Sequence, residues 1–314
     1  MPNTLAILLA AAVVGLTICV IIQGRRLSRL RRRARRAAFI GPEAHVRLQK
    51  QLFELRARQD CRERGITPSL PLQFRSEYGE DTLLYELFDG RPTGVFIEVG
   101  ALDGRRLSVS WIFEAIGWKG LLVEPVPERF EECRRNRPGS TVVRAALGPA
   151  GATGSTTFVV PIDPEHQGSS HRADEGMGSD FVKGLERSGE AMRKIDVPLT
   201  WVDRELQAAG FDRVDFASID VEGAEMDVLQ GFDLDKHRPR VIVIEDLSLG
   251  KSTRVSAYLE ERGYRQVMWI GGNRVMVRSD DEEMLRRATR AAETVYSPFF
   301  PPKGLPDAAP HDVR

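Results

Sequence analysis

Three stretches of this chain put acids where an apolar strand stops. In Val95-Phe96-Ile97-Glu98-Val99-Gly100-Ala101-Leu102-Asp103-Gly104, a run of β-formers carries Glu98 and ends in two glycines four positions apart. Glycine at the carboxyl end of a buried strand lets a ligand approach backbone that a side chain would block. Dinucleotide loops read G-x-G-x-x-G and hold a diphosphate on a helix N-terminus, whereas Gly100 and Gly104 frame E-x-G-x-x-x-G. A cofactor with no phosphate and an ammonium for acids to hold suits this turn better, and S-adenosylmethionine is one. A tight strand-to-helix turn without a ligand is the plainer alternative.

The second stretch is Leu121-Leu122-Val123-Glu124-Pro125, whose acid stands where doubly wound sheets place a carboxylate on ribose hydroxyls. Ala146 and Leu147 end the next β-rich run, where an adenine ring would lie against the sheet, although apolar residues there also serve as core. The third stretch, Ser218-Ile219-Asp220-Val221-Glu222-Gly223, sets two carboxylates at the end of a buried strand, and Glu245 with Asp246 repeats the arrangement on the following strand. Buried acids are costly unless a cation, a metal or a proton pairs with them. A magnesium site at Asp220, Glu245 and Asp246, or a catalytic base with its orienting partners, both fit this pattern. His166 and His171 lie in a polar stretch, and His171 is a candidate for proton abstraction, though loop histidines are commonly idle. The four tryptophans lack regular spacing and read as core or pocket wall rather than a stacking platform.

These acids need a scaffold, and the intervening pattern predicts one. Strand and helix signals alternate through Val95 to Gly100, Leu107 to Ile116, Gly120 to Glu124, Pro127 to Asn136 and Thr141 to Leu147. Thr156 to Val160 reads as an extra strand, and Asp163 to Lys194 as a long polar lid. Alternation resumes with strands at Val214 to Asp220 and Arg240 to Glu245 and helices at Ala224 to Leu229 and Thr253 to Arg262. Gly271-Gly272-Asn273 between Tyr264 to Ile270 and Arg274 to Arg278 signals a hairpin. The predicted fold is α/β: a doubly wound, mostly parallel seven-stranded sheet ending in an antiparallel hairpin.

Zero net charge hides an asymmetry. Eight of the 45 basic residues are arginines within the first 36 positions, where there is no acid, so the rest of the chain is net acidic by eight. An acidic body argues against a nucleic-acid surface. Cys19, Cys61 and Cys133 are too few for a disulfide framework or a zinc site, which is consistent with a reducing compartment. Thr4 to Ile22 has no charge and arginines follow it, the order of an anchor rather than of a cleaved signal peptide. The expectation is a single-pass membrane protein with its N-terminus out and its body in the cytoplasm. The predicted domains are residues 1–36 as transmembrane anchor and Arg-rich segment, 37–67 as amphipathic helical linker with Leu48, Leu52 and Leu55 on one face, 68–293 as catalytic domain, and 294–314 as a Pro-rich, poorly ordered tail.

Taken together, the motifs resemble the FkbM family of S-adenosylmethionine-dependent methyltransferases over roughly Phe74 to Arg278. They are Ser76, Gly79, Glu80 and Asp81 before the first strand, the Glu98 to Gly104 turn, Gly117-Trp118, Glu124-Pro125, Ser169-Ser170, the block Ile219 to Glu225, and Gly231-Phe232. The resemblance implies the class I methyltransferase variant of the Rossmann-like fold and methyl transfer to a hydroxyl of a sugar or natural-product scaffold, and the expected membrane tether suggests a glycolipid or lipid-linked glycan acceptor on the cytoplasmic face. It implies that Glu98, Gly100, Asp103, Gly104 and Glu124 hold the cofactor and that Asp220 and Glu222 line the reaction centre. Three positions depart from the family pattern: Leu102 for asparagine, Glu77 for glutamine and Trp201 for leucine. A neutral alcohol attacks poorly, so the expected mechanism uses Asp220 or Glu222 as base or metal ligand, with His171 arriving from the lid. The rivals are a membrane-tethered scaffold that keeps the fold without catalysis and a nicotinamide-dependent oxidoreductase.

Overall fold

Period-two alternation in the apolar runs sends side chains to both faces of one sheet. The computed structural model describes residues 41–173 and 189–297. The chain divides into units 1–45 and 46–314, and everything that follows concerns the second. Its strands are β1 (Val95–Val99), β2 (Lys119–Val123), β3 (Thr141–Val143), β4 (Ala146–Leu147), β5 (Ser155–Pro161), β6 (His171–Arg172), β7 (Met192–Thr200), β8 (Phe216–Ile219), β9 (Val241–Glu245), β10 (Tyr264–Ile270) and β11 (Asn273–Arg278). Seven form a sheet in the order β10-β11-β9-β8-β1-β2-β3. Phe96, Leu122, Phe216, Val241 and Val243 face one core, while Ile97, Val99, Leu121, Ala217, Ile219 and Ile242 face the other. Burial on both faces explains why these strands read as continuous apolar runs. Phe96 and Phe216 stack at 5.7 Å between centroids, and Phe113 and Trp118, edge-on to each other, lie tilted against Phe216.

The helices are α1 (Pro42–Arg64), α2 (Glu80–Leu87), α3 (Trp111–Ile116), α4 (Pro127–Asn136), α5 (Val202–Ala208), α6 (Glu225–Gln230), α7 (Leu234–His237), α8 (Arg254–Glu260) and α9 (Glu282–Thr294). α1, read from the sequence as a linker, contributes Ala57 and Cys61 to the first core. Leu48, Leu52 and Leu55 lie on its exposed side.

The predicted fold class is corrected on two counts. The large sheet is mixed: β3, β2, β1, β8 and β9 run parallel, but β11 is antiparallel to both of its neighbours. Beside it stands a second mixed sheet, β4-β7-β5-β6, where the sequence suggested one extra strand and a lid. Ile195, Val197 and Leu199 alternate with polar residues and Pro198, and pairing with β5 makes them a nine-residue strand. Residues 174–188 of the expected lid lie outside the described residues.

The expected transmembrane helix and single-pass placement are corrected with it. Among the described residues no helix is long and apolar enough to cross a membrane. The longest, α1, carries charged residues along its whole length. Thr4 to Ile22, on which the expectation rested, and the Pro-rich tail from residue 298 lie outside the described residues.

Candidate active site

Strand order reverses at β1, which has β2 on one side and β8 on the other. Ligands bind outside the carboxyl ends of strands at such a switch point, and here a cavity of about 500 Å³ opens there. Gly100 follows β1 with φ +84°, and a Cβ on it would stand 1.9 Å from the carbonyl oxygen of Asp220, which follows β8. Only glycine allows these two strand ends to approach so closely.

Glu98 is 4% exposed and lines the cavity. Its carboxylate accepts from Ser108 Oγ at 2.9 Å, Val109 N at 2.8 Å and Ser110 Oγ, with Arg137 Nη1 at 3.6 Å. Arg137 is wholly buried, and its Nε donates to Glu114 at 2.8 Å. Glu98 therefore organises the loop after β1 as well as facing the cavity. That loop is also held from the N-terminal side, where Ser76 bridges to Leu107. Ser76 donates to Asp81 through both N and Oγ, at 2.9 and 2.6 Å. Neighbouring Glu80 is pushed up to about 7 by burial, although Tyr78 N and Asn273 Nδ2 donate to it.

Glu124, just past β2, is also 4% exposed. One oxygen accepts from Leu102 N and the other from Val126 N, both at 2.8 Å, so the backbone fixes the carboxyl plane. Burial pushes its pKa up to about 8, against the pull of those two donors. Leu102 presents its N–H from the left-handed region at φ +50°, a conformation that asparagine tolerates better. Ala146 and Leu147 wall the same cavity with Ala145 and Phe158. They do not end β3, which stops at Val143; they form β4 and pair with β7 of the second sheet.

Asp220 and Glu222 both line the cavity, and Glu245 stands beside Asp220 on the adjacent strand end. Asp220 is open to solvent yet closely surrounded by protein, as a side chain facing into a cavity must be. Glu222 sits at φ +54° before Gly223 at φ +115°, strain of a kind that gathers at functional sites. Glu225, at the start of α6, is pushed up to about 7 by burial and accepts from Gly223 N.

Four sequence-predicted site residues stand outside the cavity lining. Asp103 caps its own turn, accepting from Arg105 N and Arg106 N at 2.8 and 2.6 Å. Gly104 leaves room for Cys133 and Arg137. His171 is buried in β6, its Nδ1 3.2 Å from Ser169 O. Asp246 is turned away into Arg274, with Nε and Nη2 each at 2.7 Å. The magnesium set of Asp220, Glu245 and Asp246 is therefore not supported. Among the described residues, three or more metal-binding side chains gather within 4.8 Å of one another only at Asp163, His166 and Glu190, of which His166 lines the cavity.

Sequence reasoning missed Arg137, Phe158, Arg106 and Arg172. Phe158, on the strand read as an extra, was the one with a local signal. Arg106 and Arg172 line the cavity but are paired with Glu165 and Asp227, which leaves its walls dominated by Glu77, Glu98, Glu124, Asp220, Glu222 and Glu245.

A mixed α/β sheet with an acid-walled cavity at its switch point belongs to the open α/β class, which binds ligands outside the carboxyl ends of its strands. Within that class, the model of the methyltransferase FkbM domain matches residues 98–266, more than half of the chain, and the chain belongs to the FkbM methyltransferase family. A solved methyltransferase from Geobacter sulfurreducens aligns over 72% of this chain and 88% of its own, at 14% identity and a TM-score of 0.31. No significant match is found among curated proteins.

Proposed function

We propose that this methyltransferase uses S-adenosylmethionine and methylates a hydroxyl on a sugar, glycan or natural-product acceptor. The observation that carries the reading is Glu124. Its two oxygens are each anchored by one backbone N–H, and its buried carboxyl faces a cavity beside the apolar wall of Ala145, Ala146 and Leu147. A carboxyl with hydrogen-bonding capacity left over pairs with two vicinal hydroxyls, and the apolar wall takes an adenine face. Gly100 and Ala101 provide backbone at the strand end, and the acids around Asp220 suit a ligand carrying positive charge.

The same acids disfavour the nicotinamide reading, because a diphosphate would meet Glu98, Asp220 and Glu222 with the lining arginines already engaged. They also disfavour a scaffold without a ligand, since uncompensated buried carboxylates destabilise a fold.

S-adenosylmethionine, when bound, supplies a methyl group on positive sulfur, and the sulfur keeps the bonding pair. The chain's own task is to hold the acceptor oxygen in line and take its proton. Asp220 is the base in this reading: it faces the cavity at the switch point, in surroundings that raise its pKa through burial. Glu222 borders the same space and orients the acceptor's other hydroxyls.

Calorimetric titration with S-adenosylhomocysteine tests the cofactor assignment. Two hydrogen bonds to the Glu124 carboxyl are worth about 2 kcal/mol together, so Glu124→Ala should weaken binding roughly 30-fold. Undiminished affinity in that variant, or no binding by the unaltered protein, would sink the assignment.

A further inference from the structure

We propose that Asp220 and Glu245 form a proton-sharing carboxyl pair in which Glu245 is a positioning residue for Asp220. The inference rests on the reading of Asp220 as base. Its geometry comes from the sheet: β8 and β9 run parallel with Ile219 opposite Ile244, so the next residues, Asp220 and Glu245, stand side by side. Strands are about 4.8 Å apart, and residues in register point to the same side. Both side chains line the cavity.

Two carboxylates held side by side in a cavity walled by further acids do not both ionise readily, and one proton stays between them. The surroundings sharpen this. Glu77 and Glu98 face Asp220, while Glu222 and Glu225 face Glu245, and Tyr78 borders the group from the N-terminal side. The nearest arginines are committed: Arg106 to Glu165, Arg172 to Asp227, and Arg274 to Asp246. Nor do Asp220 and Glu245 belong to the set of residues gathered closely enough to share a metal ion. Among the described residues, a proton is the counter-charge that remains while the cavity holds no cationic ligand.

Burial and then the neighbouring Asp220 hold Glu245 well above the usual carboxylate range, whereas the bond to Glu245 pulls Asp220 back down. Glu245 therefore carries the proton and donates it to one oxygen of Asp220. The other oxygen of Asp220 stays ionised and open to the cavity. When it takes the acceptor's proton the pair holds two, and one leaves to water as the product departs. The pair thus keeps one carboxylate ionised and oriented at neutral pH without a histidine.

The test is a carbon-13 NMR titration of side-chain carboxyls in the full chain, assigned with Asp220→Asn and Glu245→Gln. The expected result is two linked steps, the upper one above neutrality. In Glu245→Gln, whose amide still donates but cannot ionise, the upper step should vanish and a single Asp220 step should remain near the lower step of the unaltered protein. Two independent steps in the ordinary carboxylate range would overturn the proposal, as would an upper step that survives Glu245→Gln. The titration of the unaltered protein decides the matter even where a variant does not fold. Calorimetry with S-adenosylhomocysteine on the same samples separates the two readings. A linked titration without cofactor binding supports the pair and defeats the proposed activity, while ordinary titrations with intact binding defeat only the pair.

Discussion

Replacing Gly100 by alanine tests the claim that this glycine exists to let β1 and β8 converge. The new Cβ would lie 1.9 Å from the Asp220 carbonyl oxygen, far inside any tolerated contact, and the atom in the way is backbone. Relief requires the end of β8 to move by about 1 Å, against the Asp220 N to Val99 O bond of 3.1 Å that ties it to β1. Holding alanine at φ +84° adds about 1–2 kcal/mol, and overpacking adds about 1–3 kcal/mol. The expected loss is thus about 2–5 kcal/mol. Gly210 is the control: it also has positive φ, +76°, but a Cβ there meets nothing within 4 Å. Gly210→Ala should cost only the conformational part, about 1–2 kcal/mol, partly offset by a stiffer unfolded chain. Urea unfolding of both variants measures the difference directly. If Gly100→Ala proves no more destabilising than Gly210→Ala, the close approach is not what requires glycine.

Two further outcomes follow from buried charge. Glu80 and Glu225 are raised to about 7 and Glu124 to about 8, so the folded chain holds protons that the unfolded chain has released. The stability these groups contribute is complete below about pH 4.5 and is lost as pH rises through 7 and 8. Denaturation midpoints of the empty protein should fall across that window, and a flat profile would contradict the burial of these acids. Arg137→Met should cost about 3–5 kcal/mol, because it leaves Glu98 and Glu114 buried without their shared partner. A loss below about 1 kcal/mol in urea unfolding would show that Arg137 does not hold the loop.

How much of the site was legible depends on the distance over which each feature is decided. The Glu98 to Gly104 turn, Glu124 after its strand, and Asp220 with Glu222 were visible because an apolar run that stops at an acid is a property of neighbouring residues. The same local signal misled at Asp246. It follows Glu245 at the end of β9, yet alternation along the chain turns it away from the cavity into Arg274. Ala146 and Leu147 were read as the end of a central strand, since nothing local announces that β4 pairs with β7. The lid reading failed in part for a related reason: β7 is a strand by virtue of its pairing with β5, and only part of its run alternates cleanly.

What the sequence by itself determined are the local commitments: which segments form the strands of the large sheet, where glycine is needed, which acids end a strand, and, through its motifs, the family. Tertiary structure alone decided what those acids are. Register between β8 and β9 sets Asp220 beside Glu245, the fold buries Arg137 between Glu98 and Glu114, and backbone from two loops fixes Glu124. Charge, proton affinity and orientation depend on neighbours that are distant in the chain and on the water they exclude. No pattern of consecutive residues encodes these.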